Sequence, residues 1–243
     1  MKTQKKNSAI LLCGHGSRSK NYYKNLKEIK RKVQQRVDLR VFNCFLEINK
    51  PSLEEFLSKN SEKYNHIFVF PFLIFEGNHF KEDVYKLIKK YNDKLKNITL
   101  IKKISLIDVV LPITFNTLRK KIKKGRNTVL ITSSSYSKEK SVLLSLKKYT
   151  KALSNKLKLS YSFFHYVGEE DKIIKKLNII DNDQLSVLLH PIFLFQGFLY
   201  KKNKKCFLEN FSNKVLVTNS LINNDEIFEI IIQKLKHRIF FHK

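Results

Sequence analysis

The chain has 243 residues, and its 42% hydrophobic and 12% aromatic content is enough for one large core or two small ones. This composition excludes disorder as the main state, while 6 Gly and 4 Pro exclude collagen-like and low-complexity classes. Because the mean hydropathy is -0.32 and no 18-residue stretch lacks charge, we expect no membrane partner.

A net charge of +27, from 48 Lys and Arg against 21 Asp and Glu, attracts polyanions of any kind. The positive charge is spread over every amphipathic segment, however, and abundant Lys, Asn and Ile are also what an AT-rich genome produces. The sequence lacks a nucleic-acid reading element, a glycine-rich phosphate loop and an aromatic platform. We therefore expect no nucleic acid partner, and the charge alone does not identify an anionic one.

The three cysteines, Cys13, Cys44 and Cys206, are odd in number and widely scattered. This usage predicts neither a disulfide framework nor a CxxC metal or redox site, and it is typical of a reducing cytosol. The basic start is followed by only five apolar residues, unlike a signal peptide, so we expect a cytoplasmic protein.

The first half of the chain alternates between strand and helix patterns. Apolar positions recur at three- and four-residue spacing over residues 23–33, 51–57 and 84–91, which predicts helices there. A further helix over residues 112–124 ends at Gly125, which suggests a boundary. Short runs rich in Val, Ile and Phe predict four buried parallel strands at residues 9–13, 39–48, 66–75 and 98–104.

The same order restarts in the second half, and the two halves also share letters. Residues 70–77 and 190–197, which lie 120 positions apart, both have the form of a Pro followed by an apolar run and a Gly. This match indicates an internal duplication. Strands are predicted at residues 129–132, 157–167, 185–195 and 214–218, with helices at residues 138–153, 171–177 and 225–237.

We therefore predict an α/β fold with two duplicated domains, residues 1–124 and 125–243. Each domain is expected to contain a parallel four-stranded sheet with helices on both faces and right-handed crossovers. In such sheets, ligands bind beyond the carboxyl ends of the strands. Candidate functional residues are therefore those that follow each strand.

Three polar residues, His15, Glu47 and His79, end or follow the first three strands, at intervals of 32 residues. This spacing adds one strand and one helix per step, so a sequential strand order places them on neighbouring strands. Two imidazoles and a carboxylate suit a borderline divalent metal such as Fe, Co, Ni or Zn, and the same groups serve as general bases.

These residues resemble the three motifs of the sirohydrochlorin chelatases, class II chelatases that need no nucleotide. The motifs are residues 15–18 (His-Gly-Ser-Arg), Leu46-Glu47 followed by residues 51–53 (Pro-Ser-Leu), and residues 71–73 followed by 77–79 (Gly-Asn-His). The resemblance is dense over residues 9–90 and diluted over the second half. Long bacterial forms of this family are similar two-domain duplications with the active site in the amino-terminal half.

The resemblance implies a chelatase-like fold and an ATP-independent lyase that inserts Fe²⁺ or Co²⁺ into sirohydrochlorin, for sirohaem or cobalamin. His15 and His79 would handle the metal and accept pyrrole protons, with Glu47 assisting. Arg18 and Ser17 would bind the substrate, whose eight carboxylates suit a guanidinium. The metal is then a substrate, no cofactor is bound permanently, and a monomer or weak oligomer is expected.

The second half differs from the first at the critical positions. The shared letters align His79 with Leu199, and matching the first strands with one residue of slip aligns His15 with Ser134. We therefore expect a degenerate domain that acts as a lid without metal ligands, in which Phe193, Phe195 and Phe198 pack rather than bind ligand.

Two other functions compete with metal insertion. The same three residues would also suit a non-catalytic protein that binds a metal or a tetrapyrrole, and the charge alone would suit a nucleic-acid binder. The physiological metal, whether iron, cobalt or nickel, stays open because His and Glu follow the general affinity series. The lack of a histidine-rich tract and of a cysteine cluster favours iron over cobalt.

Overall fold

The computed structural model describes residues 7–75, 84–122, 127–180, 185–211 and 214–241. It contains two four-stranded parallel sheets, with strand order β2-β1-β3-β4 in the first and β6-β5-β7-β8 in the second. This arrangement confirms the predicted α/β fold with two similar sheets. The strands are β1 (Ser8–Gly14), β2 (Arg40–Phe45), β3 (His66–Phe72), β4 (Ile98–Leu100), β5 (Asn127–Ser134), β6 (Tyr161–Tyr166), β7 (Leu185–Pro191) and β8 (Val215–Val217).

Helices connect the strands, and none of them in the described part of the chain is both long and apolar enough to cross a membrane. A π-helical turn over Leu106–Val110 precedes α4, and a 3-10 turn over Leu221–Asn223 precedes α8. The helices are α1 (Lys20–Gln34), α2 (Leu53–Asn60), α3 (Tyr85–Leu95), α4 (Leu111–Arg119), α5 (Lys140–Leu157), α6 (Glu170–Ile180), α7 (Phe198–Phe211) and α8 (Asp225–Phe240).

Helix α7 is absent from the sequence prediction. Its buried positions are Tyr200, Asn203, Phe207 and Phe211, so an amide occupies a place where helical periodicity calls for an apolar residue. The rest of the segment is rich in Lys, which further weakens the apolar pattern.

Strand β1 lies in the middle of the first sheet because it pairs with both β2 and β3. All seven of its residues are buried, as expected for a parallel strand covered on both faces. The strand order is not sequential: β2 lies on one side of β1, and β3 and β4 lie on the other. The connection after β1 therefore runs toward one edge of the sheet, and the connection after β3 runs toward the other. Open parallel sheets form their ligand crevice between two such strands.

Packing divides the chain into two compact units, Met1–Ile104 with Glu229–Lys243 and Ser105–Phe228. In the first unit, Arg36 forms an ion pair with Glu229 on α8 at 2.6 Å. In the second unit, Phe115 on α4 lies beneath the cations of Arg119 and Lys156. The predicted boundary after residue 124 describes the sequence repeat and stays a prediction.

A fully buried histidine connects β7 to its neighbours in the second unit. His190 Nδ1 shares a hydrogen bond with Thr218 Oγ1 at 2.6 Å, and Nε2 shares one with Tyr149 Oη at 2.9 Å. Burial lowers the pKa of His190 to about 4 and raises the pKa of Tyr149. The imidazole is therefore neutral and structural.

We expect His190 to make folding stability depend on pH. The unfolded state, with a pKa of about 6.5, binds the extra proton first, so stability falls as the pH falls from about 6.5 toward 4. The contribution lost between pH 7 and pH 5 is about 2 kcal/mol. Urea unfolding at both pH values should show a smaller loss for His190→Gln than for the wild type, whereas exposed His237→Gln should match the wild type. Equal losses in all three proteins would contradict this assignment.

Candidate functional site

The first site loop, residues 15–19, connects β1 to α1 at the carboxyl edge of the first sheet. Gly16 has a φ of 103°, a conformation that side chains rarely adopt. Ser17 Oγ accepts the Ser19 N–H at 3.1 Å, and α1 begins at the next residue. The side chains of His15 and Arg18 are exposed, while Ser17 is half-buried. The loop thus presents an imidazole and a guanidinium to solvent.

The second site loop, residues 46–51, leaves β2 and returns to it. The Phe45 N–H donates to the Pro51 carbonyl oxygen at 3.1 Å, which closes the base of the loop. Helix α2 then begins with a capping box, in which Ser52 and Glu55 each bind the other's backbone N–H. Glu47 lies within this closed loop, and its side chain is exposed.

Backbone hydrogen bonds join the two loops beyond the ends of β1 and β2. Leu46 N–H donates to the Gly14 carbonyl at 2.9 Å, and Glu47 N–H donates to the His15 carbonyl at 3.0 Å. A Cβ at Gly16 would collide with the Glu47 carbonyl oxygen, so this close approach requires glycine. The structure therefore brings His15 and Glu47 together as backbone neighbours.

Tyr22 on α1 packs over the start of the first loop. A Cβ at Gly14 would come within 2.6 Å of the Tyr22 hydroxyl oxygen, so Gly14 also needs its lack of a side chain. Burial raises the pKa of Tyr22, and hydrogen bonds from the backbone N–H groups of Gly16 and His15 partly oppose this rise. Tyr22 therefore packs against the start of the first site loop, and the sequence analysis did not single out this residue.

Two cysteines lie side by side beneath the loops. Cys13 and Cys44 are partners in the parallel register of β1 and β2, and both are fully buried. Burial, together with the neighbouring Cys13 thiol, raises the pKa of Cys44. The two cysteines are separated in sequence but adjacent in space, and both are free thiols. Both thiols belong to the apolar core that supports the loops.

The third predicted residue, His79, lies outside the described residues, as do Gly77 and Asn78. The chain that leads toward it leaves β3 through residues 73–75, which are half-buried. The Ile74 carbonyl accepts the Lys103 ammonium at 3.0 Å, which fixes the exit of β3. Among the residues described, no group of three or more His, Cys, Asp or Glu side chains forms a metal site.

The second sheet repeats the framework of the first without its imidazole. Val167 N–H donates to the Ser134 carbonyl just as Leu46 does to Gly14. Gly14 thus corresponds to Ser134, and His15 corresponds to exposed Ser135 rather than to Ser134 as predicted. The one-residue slip assumed from the sequence was wrong because the strand registers keep the offset of 120 throughout β1 and β5. Strands β2 and β6 are offset by 121 residues, as the match of Leu46 to Val167 shows, so Glu47 corresponds to Gly168.

The histidine at the end of β6 belongs to a buried network. His165 Nδ1 bonds the Tyr166 carbonyl at 2.9 Å, and Nε2 faces the Asn203 amide at 3.4 Å. Asn203 also donates to Glu170 at 3.2 Å and accepts from Ser133 at 2.7 Å. Burial lowers the pKa of His165, partly offset by its bond to Tyr166 and the charge of Glu170. Both ring nitrogens are thus engaged inside the core.

The fold and the first rim together define a class of protein: a two-sheet α/β protein with an exposed imidazole and an exposed carboxylate at the carboxyl edge of its amino-terminal sheet. Residues 9–113 match the CbiX family model. This match spans β1 to the first turn of α4 and includes the predicted motifs. It confirms over these residues the family resemblance predicted from the sequence. No curated protein sequence matches the chain.

Solved structures share the fold over nearly the whole chain. SirB from Bacillus subtilis with Fe³⁺ has a TM-score of 0.75 and 16% identity, and 95% of each chain is covered. The sirohydrochlorin chelatase SirB from Bacillus subtilis subspecies spizizenii, in complex with cobalt, has a TM-score of 0.68 and 18% identity, with 95% of this chain and 94% of that chain covered. CbiX, described as the terminal enzyme of sirohaem biosynthesis in denitrifying bacteria, has a TM-score of 0.66 and 10% identity, with 96% and 99% covered.

We expect Gly16→Ala to destabilise the protein more than Gly168→Ala. Both glycines have positive φ, at 103° and 106°, but a Cβ at Gly168 meets nothing within 4 Å. Gly168→Ala therefore carries only the backbone penalty, on the order of 1–2 kcal/mol, while Gly16→Ala adds the collision with Glu47. Urea unfolding of both variants measures the difference. Equal losses of stability would show that the two loops are not in contact.

Proposed function

We propose that the protein is a sirohydrochlorin chelatase that inserts Fe²⁺ or Co²⁺ into sirohydrochlorin without a nucleotide. The observation that carries the proposal is the joining of His15 to Glu47 at the carboxyl edge of β1 and β2, within the segment that matches CbiX. The solved structures of similar fold include a SirB with Fe³⁺ and one with cobalt, which supports metal binding by a protein of this fold.

Metal insertion requires three changes: the ion sheds bound water, the ring loses two pyrrole protons, and the ring bends toward the metal. A neutral imidazole is a good ligand for Fe²⁺ and Co²⁺ and also a base near neutral pH. Exposed His15 would replace a metal-bound water with its ring nitrogen. Once the ion has passed to the tetrapyrrole, the freed nitrogen would accept a pyrrole proton. Glu47 would offset the charge of the ion, and His79 would supply the second imidazole.

Substrate capture would depend on the cations beside His15. Arg18 and Lys20 are exposed at the end of the first site loop and at the start of α1. A guanidinium binds a carboxylate through two parallel hydrogen bonds, which suits the carboxylates of sirohydrochlorin. Ser17 Oγ accepts the Ser19 N–H, so its hydroxyl hydrogen is directed to another acceptor such as a substrate carboxylate.

The reaction needs no permanently bound cofactor, because the metal enters as a substrate and leaves in the product. The partners are then sirohydrochlorin and a divalent metal ion, with no nucleic acid. We also propose a monomer or weak oligomer that acts in the cytoplasm, in keeping with free cysteines and with a small-molecule substrate.

We expect His15→Ala and His79→Ala each to lower the insertion rate by about 100-fold or more, because each removes a ligand and a base. Sirohydrochlorin is mixed with Fe²⁺ or Co²⁺ and enzyme, and the absorbance change of the ring is followed. His237→Ala is the matched control, since the exposed side chain of His237 lies on α8, outside the two site loops.

Full activity in both site variants would exclude these residues from the reaction. A wild-type protein that binds sirohydrochlorin or cobalt but leaves the ring absorbance unchanged would instead identify a binding protein without turnover.

A further inference from the structure

The second site loop contains a strained turn next to Glu47. Asn49 N–H donates to the Glu47 carbonyl at 2.6 Å, which encloses Ile48 in a three-residue γ-turn. Ile48 has a φ of 64°, the rare positive form of this turn, and its β-branched side chain is 60% exposed. Such strain persists only where surrounding contacts hold it, and it is concentrated at functional sites.

The Asn49 side chain supplies one of the contacts that hold this turn. Its Oδ1 accepts the backbone N–H of Ser17 at 2.7 Å, across 32 residues of sequence. The backbone of Asn49 is thus bonded to Glu47, and its side chain is bonded to the loop that carries His15. Asn49 is the one residue of the second loop whose side chain bonds the first loop in the described structure.

The second sheet offers an internal comparison. Gly168, which corresponds to Glu47, donates its N–H to the Glu170 carboxylate at 2.7 Å within its own loop. Ser137 still accepts the Glu139 N–H, as Ser17 accepts that of Ser19. The helix-start motif is therefore present in both halves, but the described hydrogen bonds show the Asn49 cross-link only in the half that has His15 and Glu47.

We propose that Asn49 is a positioning residue that sets the separation of the His15 and Glu47 side chains for the metal. This role rests on the proposed function. Without the side-chain oxygen of Asn49, the Ser17 N–H loses its hydrogen-bond acceptor, and the strained turn at Ile48 loses a restraint. His15 and Glu47 would then remain present but would hold the ion in a less defined geometry, and groups that orient metal ligands typically affect affinity or rate by about 10–100-fold.

Three variants test this proposal in the full chain. Asn49→Ala removes the acceptor, Asn49→Asp restores an oxygen at the same position, and Asn92→Ala is the matched control. The Asn92 side chain also binds the backbone of another residue, through two hydrogen bonds to Ile98. These bonds lie at the start of β4, not in the site loops. The measurements are kcat and KM for insertion, the visible absorption spectrum of bound Co²⁺, the melting temperature, and amide hydrogen exchange at Ser17.

We expect Asn49→Ala to lower kcat by about 10-fold or more with a smaller change in KM, and to alter the Co²⁺ spectrum. Asn49→Asp should recover most of the rate and the wild-type spectrum. Asn92→Ala should lower the melting temperature while leaving both properties unchanged. In the wild type, the Ser17 amide should be protected from exchange.

Wild-type kcat and spectrum in a folded Asn49→Ala protein would overturn the proposal. So would an unprotected Ser17 amide in the wild type, a measurement that does not depend on the variant folding. Failure of the wild type to insert metal would instead contradict the proposed function, while the Co²⁺ spectra and the exchange of Ser17 would still report on the role of Asn49.

Discussion

The close approach of the Gly16 and Glu47 backbones is the constraint on which the amino-terminal rim depends. It extends the pairing of β1 and β2 past the strand ends, so that His15 and Glu47 are held by main-chain contacts rather than by their own side chains. Both side chains remain exposed and available to a ligand. In the proposed reaction this arrangement would favour rapid exchange of metal and ring, because neither side chain would have to break a structural bond to react.

The two halves use the same framework in different ways. In the first, apolar residues and the Cys13 and Cys44 thiols fill the space below the strand ends. In the second, Ser133 and His165 occupy the matching register positions, and Asn203 and Glu170 complete a buried polar network with them. Such a network is stable only when its members are satisfied, so His165 contributes to the core and not to an open site.

The sequence predicted the helices and strands better than it predicted which of them lie side by side. Buried strands such as β1 were recognisable as apolar runs, but the position of β1 in the middle of the sheet follows from the direction of each crossover, which periodicity does not encode. Helix α7 was missed because Asn203 interrupts its apolar face. The roles of Tyr22 and Asn49 depend on contacts between distant segments, and only the Asn-Lys-Pro turn signal after Glu47 marked that loop as unusual.

If His15 and Glu47 bind the metal as proposed, each chain has one metal-handling site, and it belongs to the amino-terminal half. Titration of the intact protein with Co²⁺, followed by visible absorption or calorimetry, counts the strong sites in each chain. We expect one strong site per chain that is lost in His15→Ala and kept in Ser135→Ala, the corresponding position of the second half. Two strong sites per chain, or one that survives in His15→Ala and disappears in Ser135→Ala, would contradict it.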